Sequence, residues 1–284
     1  MAITASQVNE LRKKTGAGMM DCKKALTEAD GDMEKAIELL RKKGASVAAK
    51  RAEKSASEGM VLTKVSEDKR SATIVEVNCE TDFVAKGTDF VTFANSVLEN
   101  IYTNKPENLD SLLKDEQLKN SLTDLMGKVG EKIEISRFIN ESDDNAMHVD
   151  YVHMGAKLGV IVKFGNVANA TDELNNLGRD IAMQIAAMKP ICVRREEVSK
   201  EVVDKEIEIY EELARKEGKP EQILDKITQG KLNKYYQENC LIEQSYIKDN
   251  TKTVDTLIKE YNTRNESDIS IVHFHRFHLS DENK

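Results

Sequence analysis

Two apolar runs, each followed by a helical pattern, constrain the fold of this 284-residue chain more than any other feature. Ala72–Val77 precedes a helical pattern over Thr88–Asn100, and Leu158–Phe164 precedes one over Asp172–Met188 that Pro190 ends. Short apolar runs of this kind are typical of buried strands. We therefore predict a core in two parts, built on a weak internal duplication of a strand–strand–helix unit.

Shorter periodic segments complete each part of the predicted core. In the first part the predicted elements are strands over Met60–Val65 and Ile133–Ile139 and helices over Leu109–Leu113 and Leu122–Val129. In the second part they are strands over His148–His153 and Ile269–Leu279 and a helix over Thr253–Tyr261.

The first 54 residues show helical periodicity and no strand pattern. A first short helix stops at Gly16–Ala17–Gly18, Met20–Ala29 forms a second, and a third ends near Gly44, followed by a charged helical linker over Ala45–Lys54. This segment carries 12 lysines and arginines against 8 acidic residues, whereas the whole chain has a net charge of -8. A basic module on an acidic body fits either a partner with an acidic face or an ordinary solvated helical surface.

Residues 195–236 also lack a strand pattern. Apolar residues recur at helical spacing over Val203–Ala214, and a second apolar stripe follows the turn at Gly218–Lys219–Pro220. Two helices joined by such a turn predict an antiparallel hairpin that projects into solvent and interrupts the second part of the core.

The periodicities together predict an α+β fold. The predicted domains are a three-helix module at 1–54, a first core subdomain at 55–142, a second core subdomain formed by 143–190 and 237–284, and the inserted helical hairpin at 191–236.

Composition and charge exclude several classes of protein. A net charge of -8 argues against nonspecific nucleic-acid binding, and no apolar run reaches the roughly 18 residues that span a membrane. The start Met1–Thr4 has neither an apolar secretory segment nor an arginine-rich transit segment, so we expect a cytoplasmic protein. The four cysteines form no CxxC pair and are expected to stay reduced, as small apolar residues.

No motif in the chain demands catalysis. Glycine-rich phosphate loops and the GxSxG nucleophile elbow are absent from the sequence. His273 and His275 would share one face of a strand while His278 points to the other, but no third metal ligand is predictable, so a half-exposed strand is the favoured interpretation. A binding protein and an enzyme with an unreadable site both remain open at this level, and binding of a small ligand rather than of another protein would separate them.

The stretch Asn78–Lys86 places an acid and an aromatic residue at a strand-to-helix corner. The pattern alone favours a structural role, in which Phe83 packs under the helix start and Thr81 or Asp82 caps the helix. An exposed Phe83 that contacts a partner is the alternative.

Two long motifs resemble the elongation factor Ts family of bacteria. The first is Leu11-Arg-Lys-Lys-Thr-Gly-Ala-Gly-Met-Met-Asp-Cys-Lys-Lys-Ala-Leu26, and the second is Asn78-Cys-Glu-Thr-Asp-Phe-Val-Ala-Lys86. The resemblance continues through His153–Val160, Ile181–Pro190, the predicted hairpin and Arg276–Phe277, and covers nearly the whole chain. It implies an N-terminal module like a ubiquitin-associated domain, a two-part core of antiparallel sheets with helices, and an inserted helical hairpin. Taken alone, the first module would also fit a ubiquitin-like or nascent-chain binding module.

The family resemblance implies a guanine-nucleotide exchange factor for the GTPase elongation factor Tu, without enzymatic chemistry, cofactor or metal of its own. It implies that Thr81, Asp82, Phe83 and Val84 dislocate the magnesium ion of the GTPase, which reverses the structural interpretation of Phe83. It also implies partner contacts at Arg12, Met19, Met20, Val129, Gly130 and His153. Neither a membrane nor a nucleic acid would be a direct partner, and a homodimer formed through the hairpin stays open.

The chain departs from the family pattern at two places. Many members have histidine where this chain has Gln184, and many continue past the last core strand with a C-terminal helical module, where this chain has only Leu279–Lys284. We therefore expect the N-terminal module to supply more of the contact with the GTPase.

Overall fold

The computed structural model describes residues 3–281. Its helices are α1 (Ala5–Thr15), α2 (Met19–Glu28), α3 (Met33–Arg51), α4 (Asp82–Ala85), α5 (Thr88–Asn104), α6 (Leu109–Leu112), α7 (Glu116–Val129), α8 (Asp172–Met188), α9 (Lys200–Lys216), α10 (Leu224–Asn239) and α11 (Val254–Asn265). Its strands are β1 (Glu58–Val65), β2 (Ser71–Cys79), β3 (Ile133–Ser142), β4 (Met147–Val152), β5 (Leu158–Gly165), β6 (Ser245–Tyr246), β7 (Asp249–Thr253) and β8 (Ser270–His278). None of the helices between residues 3 and 281 combines the length and the apolar character that crossing a bilayer requires.

Two antiparallel three-stranded sheets form the centre of the molecule. Their strand orders are β1-β2-β3 and β4-β5-β8, so each apolar run of the sequence is the central strand of its sheet. The sheets pack on each other through one apolar cluster, whose buried members are Val61, Ala72, Ile74, Ile161, Phe277 and Leu279. The predicted α+β class is therefore confirmed.

Helices cover the outer face of each sheet. Val75 and Val77 of β2 pack with Phe90 and Val97 of α5 and with residues of α7. Val160, Val162 and Phe164 of β5 pack in the same way with residues of α8 and α11. Because both faces of β2 and β5 are covered, their side chains are buried without the alternation that a one-sided sheet would impose.

The N-terminal helices have a small apolar cluster of their own, which includes Leu11, Cys22 and Leu26. Gly16 ends α1 in the left-handed conformation, as its position in the sequence predicts. The prediction that the third helix ends near Gly44 is wrong, because α3 continues to Arg51 and incorporates the predicted linker.

Gly44 allows α3 and α7 to approach closely. A Cβ atom on Gly44 would lie 2.5 Å from the carbonyl oxygen of Thr123, and one on Gly127 would lie 2.9 Å from Cα of Gly44. A glycine that is normally a helix stop signal therefore serves here as a helix-crossing point that joins the first module to the core.

We expect Gly44→Ala to destabilise the protein by about 1 kcal/mol. Overpacking typically costs about 1–3 kcal/mol, and alanine returns up to about 1 kcal/mol of helix propensity. Gly230→Ala in α10 is the matched control, because a Cβ atom there meets no atom within 4 Å, and it should stabilise the protein. Urea unfolding of both variants measures the difference, and equal effects would refute the close crossing.

Residues 191–239 carry α9 and α10, which pack on each other. Leu232 and Tyr236 of α10 are buried, and the partly buried Val203 and Ile207 of α9 pack against them. The assignment of this pair as an inserted hairpin, the ubiquitin-associated likeness of the first module and the domain limits stay predictions.

Other boundaries differ from the predicted ones for local reasons. Helix α7 begins six residues earlier than predicted, at Glu116, because the side chain of Asp115 accepts hydrogen bonds from the amides of Gln117 and Leu118. The short strands β6 and β7 had no signal in the sequence. The four cysteines are free thiols, of which Cys192 alone is not fully buried.

Candidate functional site

The corner between β2 and α4 exposes one large aromatic side chain. Thr81 is the N-cap of α4, and its hydroxyl accepts a hydrogen bond from the amide of Val84. Ala85 faces the core and Val84 packs against it, whereas Phe83 is 84% exposed. The capping role of Thr81 agrees with the sequence pattern, but the interpretation of Phe83 as a core residue is wrong.

Glu131 and Glu80 hold this corner in place. The carboxylate of Glu131 accepts from the amide of Thr81 at 3.0 Å and from its hydroxyl at 2.7 Å. Glu80 accepts from Arg51 at the end of α3 at 2.7 Å and from the amide of Lys132 at 2.6 Å. Burial opposes ionisation of Glu80, but the bonds from Lys132 and Arg51 outweigh it and lower its pKa. The corner is thus tied to both α3 and the segment that follows α7.

The charged side chains around Phe83 are paired with one another. Lys86 donates to Asp82 at 2.7 Å, and Lys157 donates to Glu58 at 2.6 Å. The hydrogen bond from Lys86 lowers the pKa of Asp82, and the charges of Lys86 and Lys157 add to that effect. Asp82 is therefore an anion beside the exposed ring at neutral pH.

The turn 153–157 lies next to the same corner. The carbonyl of Ala156 accepts from the amide of Val61 in β1, the strand that α4 also contacts. His153 is exposed, and its Nδ1 lies 2.7 Å from the hydroxyl of Tyr151. The neighbouring Met154 is 92% exposed, so this turn presents a further large apolar side chain to solvent.

The N-terminal module presents Arg12, Met19 and Met20 at its surface, where Met20 is 72% exposed. A lysine on α7 connects this module with the corner region. The Nζ atom of Lys128 would lie 2.7 Å from a Cβ atom added to Gly16, and it donates to Asp89 in the first turn of α5 at 2.6 Å. The side chain of Lys128 therefore lies between the loop before α2 and the start of α5.

Val129 and Gly130 have structural explanations at the end of α7. Val129 packs against the core, and Gly130 ends the helix with a φ of 74°. They directly precede Glu131, the residue that holds Thr81. Sequence reasoning missed Glu131 and Met154. Nothing in the sequence distinguishes Glu131 from other acids, whereas Met154 beside Gly155 could have been read as an exposed turn residue.

The corner combines a buried thiol with exposed apolar side chains. Its cysteine, Cys79, is fully buried and donates to the carbonyl of Thr81, and burial raises the pKa of its thiol to about 12. A thiol with that pKa is not a nucleophile at neutral pH. Phe83, Met154 and Met20 are the most exposed large apolar side chains of residues 3–281, and such groups on a held backbone suit a protein interface.

Comparison with known proteins assigns the chain to a class and then to a family. A family model described as "Elongation factor TS" matches residues 80–281. Relatives named elongation factor Ts include one from Chloroherpeton thalassium, 46% identical over 99% of both chains. Another, from Clostridium novyi, is 45% identical over 97% of this chain and 92% of its own length. These matches define a translation elongation factor. The chain belongs to the elongation factor Ts family.

Proposed function

We propose that the protein binds the GTPase elongation factor Tu in its GDP form and promotes release of GDP, so that GTP can replace it. Phe83 acts as a wedge that enters between helices of the GTPase near its magnesium site. The observation that carries the proposal is the 84% exposure of this ring on a backbone fixed by Thr81, Glu131 and Glu80. The protein itself makes and breaks no covalent bond in this function, and we place it in the cytoplasm.

A rigid aromatic ring suits the role of a wedge. Phenylalanine buries a large apolar area and has only two side-chain torsions to fix on binding. Ala85 is buried, and Thr81 donates two hydrogen bonds to Glu131. These contacts hold α4 in its helical form when the ring of Phe83 is pressed into a partner. The anionic Asp82 beside it would reposition GTPase elements that hold the magnesium ion.

Linkage explains how binding accelerates exchange without chemistry. A GTPase holds GDP through its phosphate loop and a magnesium ion bound to phosphate oxygens. An exchange protein that binds better to the GTPase lacking nucleotide and metal lowers the affinity of the GTPase for nucleotide. Nucleotide lowers the affinity of the GTPase for the exchange protein by the same ratio. The wedge therefore needs only a preference for the open form of the site.

Other exposed residues would extend the contact. Arg12, Met19 and Met20 would meet the nucleotide domain, where flexible methionine side chains adapt to a deformable surface. His153 and the Val129–Gly130 segment would lie at the border of the same interface. Met154, beside His153, adds a further contact residue to this proposal.

The rate of release of labelled GDP from purified elongation factor Tu tests the proposal. Addition of the protein should raise this rate, and the protein alone should hydrolyse no GTP. An unchanged rate would overturn the proposal.

A further inference from the structure

Four ionisable side chains from both sheets meet at a place remote from the Phe83 corner. Glu141 lies near the end of β3 in the first sheet, and His273 and His275 lie on β8 in the second. The Nε2 atoms of both histidines lie 2.6 Å from Oε1 of Glu141. One ligand atom from each of the three residues lies within 4.8 Å of the others. The structure thus supplies the third donor that the sequence did not reveal.

His148 on β4 gives an independent sign that a cation belongs here. It is fully buried, and its Nδ1 lies 3.2 Å from the carbonyl oxygen of Lys69. A carbonyl oxygen can only accept, so Nδ1 carries a proton, and the other ring nitrogen, Nε2, lies 3.4 Å from Oε2 of Glu141. Both atoms are buried and neither has a hydrogen-bond partner. A cation between Nε2 and Oε2 would give both of these buried atoms a partner.

We propose that Glu141, His148, His273 and His275 form a binding site for a divalent transition-metal ion of the zinc class. Glu141, His273 and His275 are the first three ligands, and His148 is the fourth donor, at the second oxygen of the shared carboxylate.

The chemistry of the donors selects this class of ion. Imidazole nitrogens favour zinc and its neighbours over magnesium and calcium, which prefer oxygen ligands. Three imidazoles with one carboxylate match the donor types of protein zinc sites. The Nδ1–H of His148, held by a backbone carbonyl, is the outer hydrogen bond by which metal-binding histidines are usually oriented.

The surroundings permit an ion to reach and occupy the site. The side chain of His273 is 38% exposed and that of Glu141 is 16% exposed, so the cluster opens to solvent on the β8 side. Lys163 pairs in register with both His148 and His273, and its ammonium group is bound by Asp143 at 2.8 Å. Because the carboxylate comes from one sheet and the imidazoles from the other, the bound ion would cross-link the two sheets.

Zinc binding by the full-length chain tests the proposal. The protein is stripped with a chelator, kept reduced and titrated with zinc in competition with a chromophoric indicator. We expect one ion per chain, with affinity reduced at least about 100-fold in the double variant His273→Asn/His275→Asn. Cobalt(II) in place of zinc should give the intense visible bands of a tetrahedral site in the parent protein and not in the double variant. Zinc should also raise the melting temperature of the parent but not of the double variant.

Two further variants keep the result interpretable. His278→Asn alters a histidine of the same strand whose Nδ1 accepts from the amide of Ser280 at 3.0 Å, and it should bind zinc like the parent. Glu141→Gln keeps the size of the side chain and should weaken zinc binding even if the double variant folds poorly. The cysteines are present in every variant, so equal zinc binding by parent, double variant and Glu141→Gln would assign the ion to other groups and overturn the proposal. Absence of zinc binding by the parent would overturn it as well.

Discussion

Replacing Phe83 with alanine is expected to slow GDP release from elongation factor Tu about thirtyfold while leaving the free protein as stable as before. The ring is 84% exposed, so its removal should change the free energy of unfolding by no more than about 0.5 kcal/mol. An aromatic that becomes buried at the centre of an interface typically contributes ~2 kcal/mol or more. If that loss falls on the transition state for release, the rate drops by roughly thirtyfold.

Stopped-flow release of a fluorescent GDP analogue and urea unfolding of the free variant measure the two effects. Ile247→Ala is the control, since Ile247 is a 42% exposed apolar residue in the turn between β6 and β7, in the other half of the core. It should leave the exchange rate unchanged. A Phe83 variant that is unstable alone, or stable and fully active, would contradict the role of a wedge.

Replacing Arg137 with methionine is expected to cost about 3–5 kcal/mol of folding stability, the range seen when one partner of a buried ion pair is removed. Arg137 on β3 donates from Nε to the fully buried Glu76 at 2.8 Å, and from Nη2 to Asp281 at 2.8 Å. Its guanidinium also stacks over the ring of Phe277, 4.1 Å from the centroid. The substitution removes the guanidinium from a buried carboxylate at the junction of the two sheets.

The double variant Glu76→Met/Arg137→Met separates the effect of the charge from that of packing. Replacing both members of a buried pair by apolar residues of similar size is often neutral, so the double variant should regain most of the lost stability. Denaturant unfolding of the parent, both single variants and the double variant gives the coupling energy. Additive losses in the double variant would mean that packing, rather than the ion pair, accounts for the effect.

Sequence patterns predict those segments whose structure depends on the residues of the segment itself. The runs Ala72–Val77 and Leu158–Phe164 are apolar because helices cover one face of each central strand and the other sheet covers the opposite face, so they stand out without any knowledge of their partners. Thr81 caps α4 through a bond three residues along the chain, and short-range rules find such bonds.

The predictions from sequence are wrong where the role of a residue depends on a contact with a residue far away in the sequence. Glycine is a residue type that commonly ends helices, but the role of Gly44 depends on Gly127 in another helix. The predicted third strand ended at Ile139 because the alternation of apolar residues ends there, whereas β3 continues to Ser142. That extension contains Glu141, which is separated from His273 by 132 residues in the sequence. No periodicity could therefore have completed the histidine cluster.

The corner at Phe83 likewise combines features that local sequence predicts with features that depend on distant residues. The exposed state of Phe83 could not be obtained from its pattern, because an aromatic at a strand-to-helix corner is more often buried, and the family motif reversed that interpretation. Glu131 fixes Thr81 from 50 residues away and had no local signal. The motif around Phe83 could be recognised in the sequence, but the residues that hold it in place could not.

The most direct test of the account is the rate at which elongation factor Tu releases a fluorescent GDP analogue into excess unlabelled GDP, followed with increasing concentrations of this protein. We predict that the rate rises with concentration toward a plateau, with no GTP hydrolysis by the protein alone. A release rate that stays at its spontaneous value at micromolar concentrations of the protein would contradict the account.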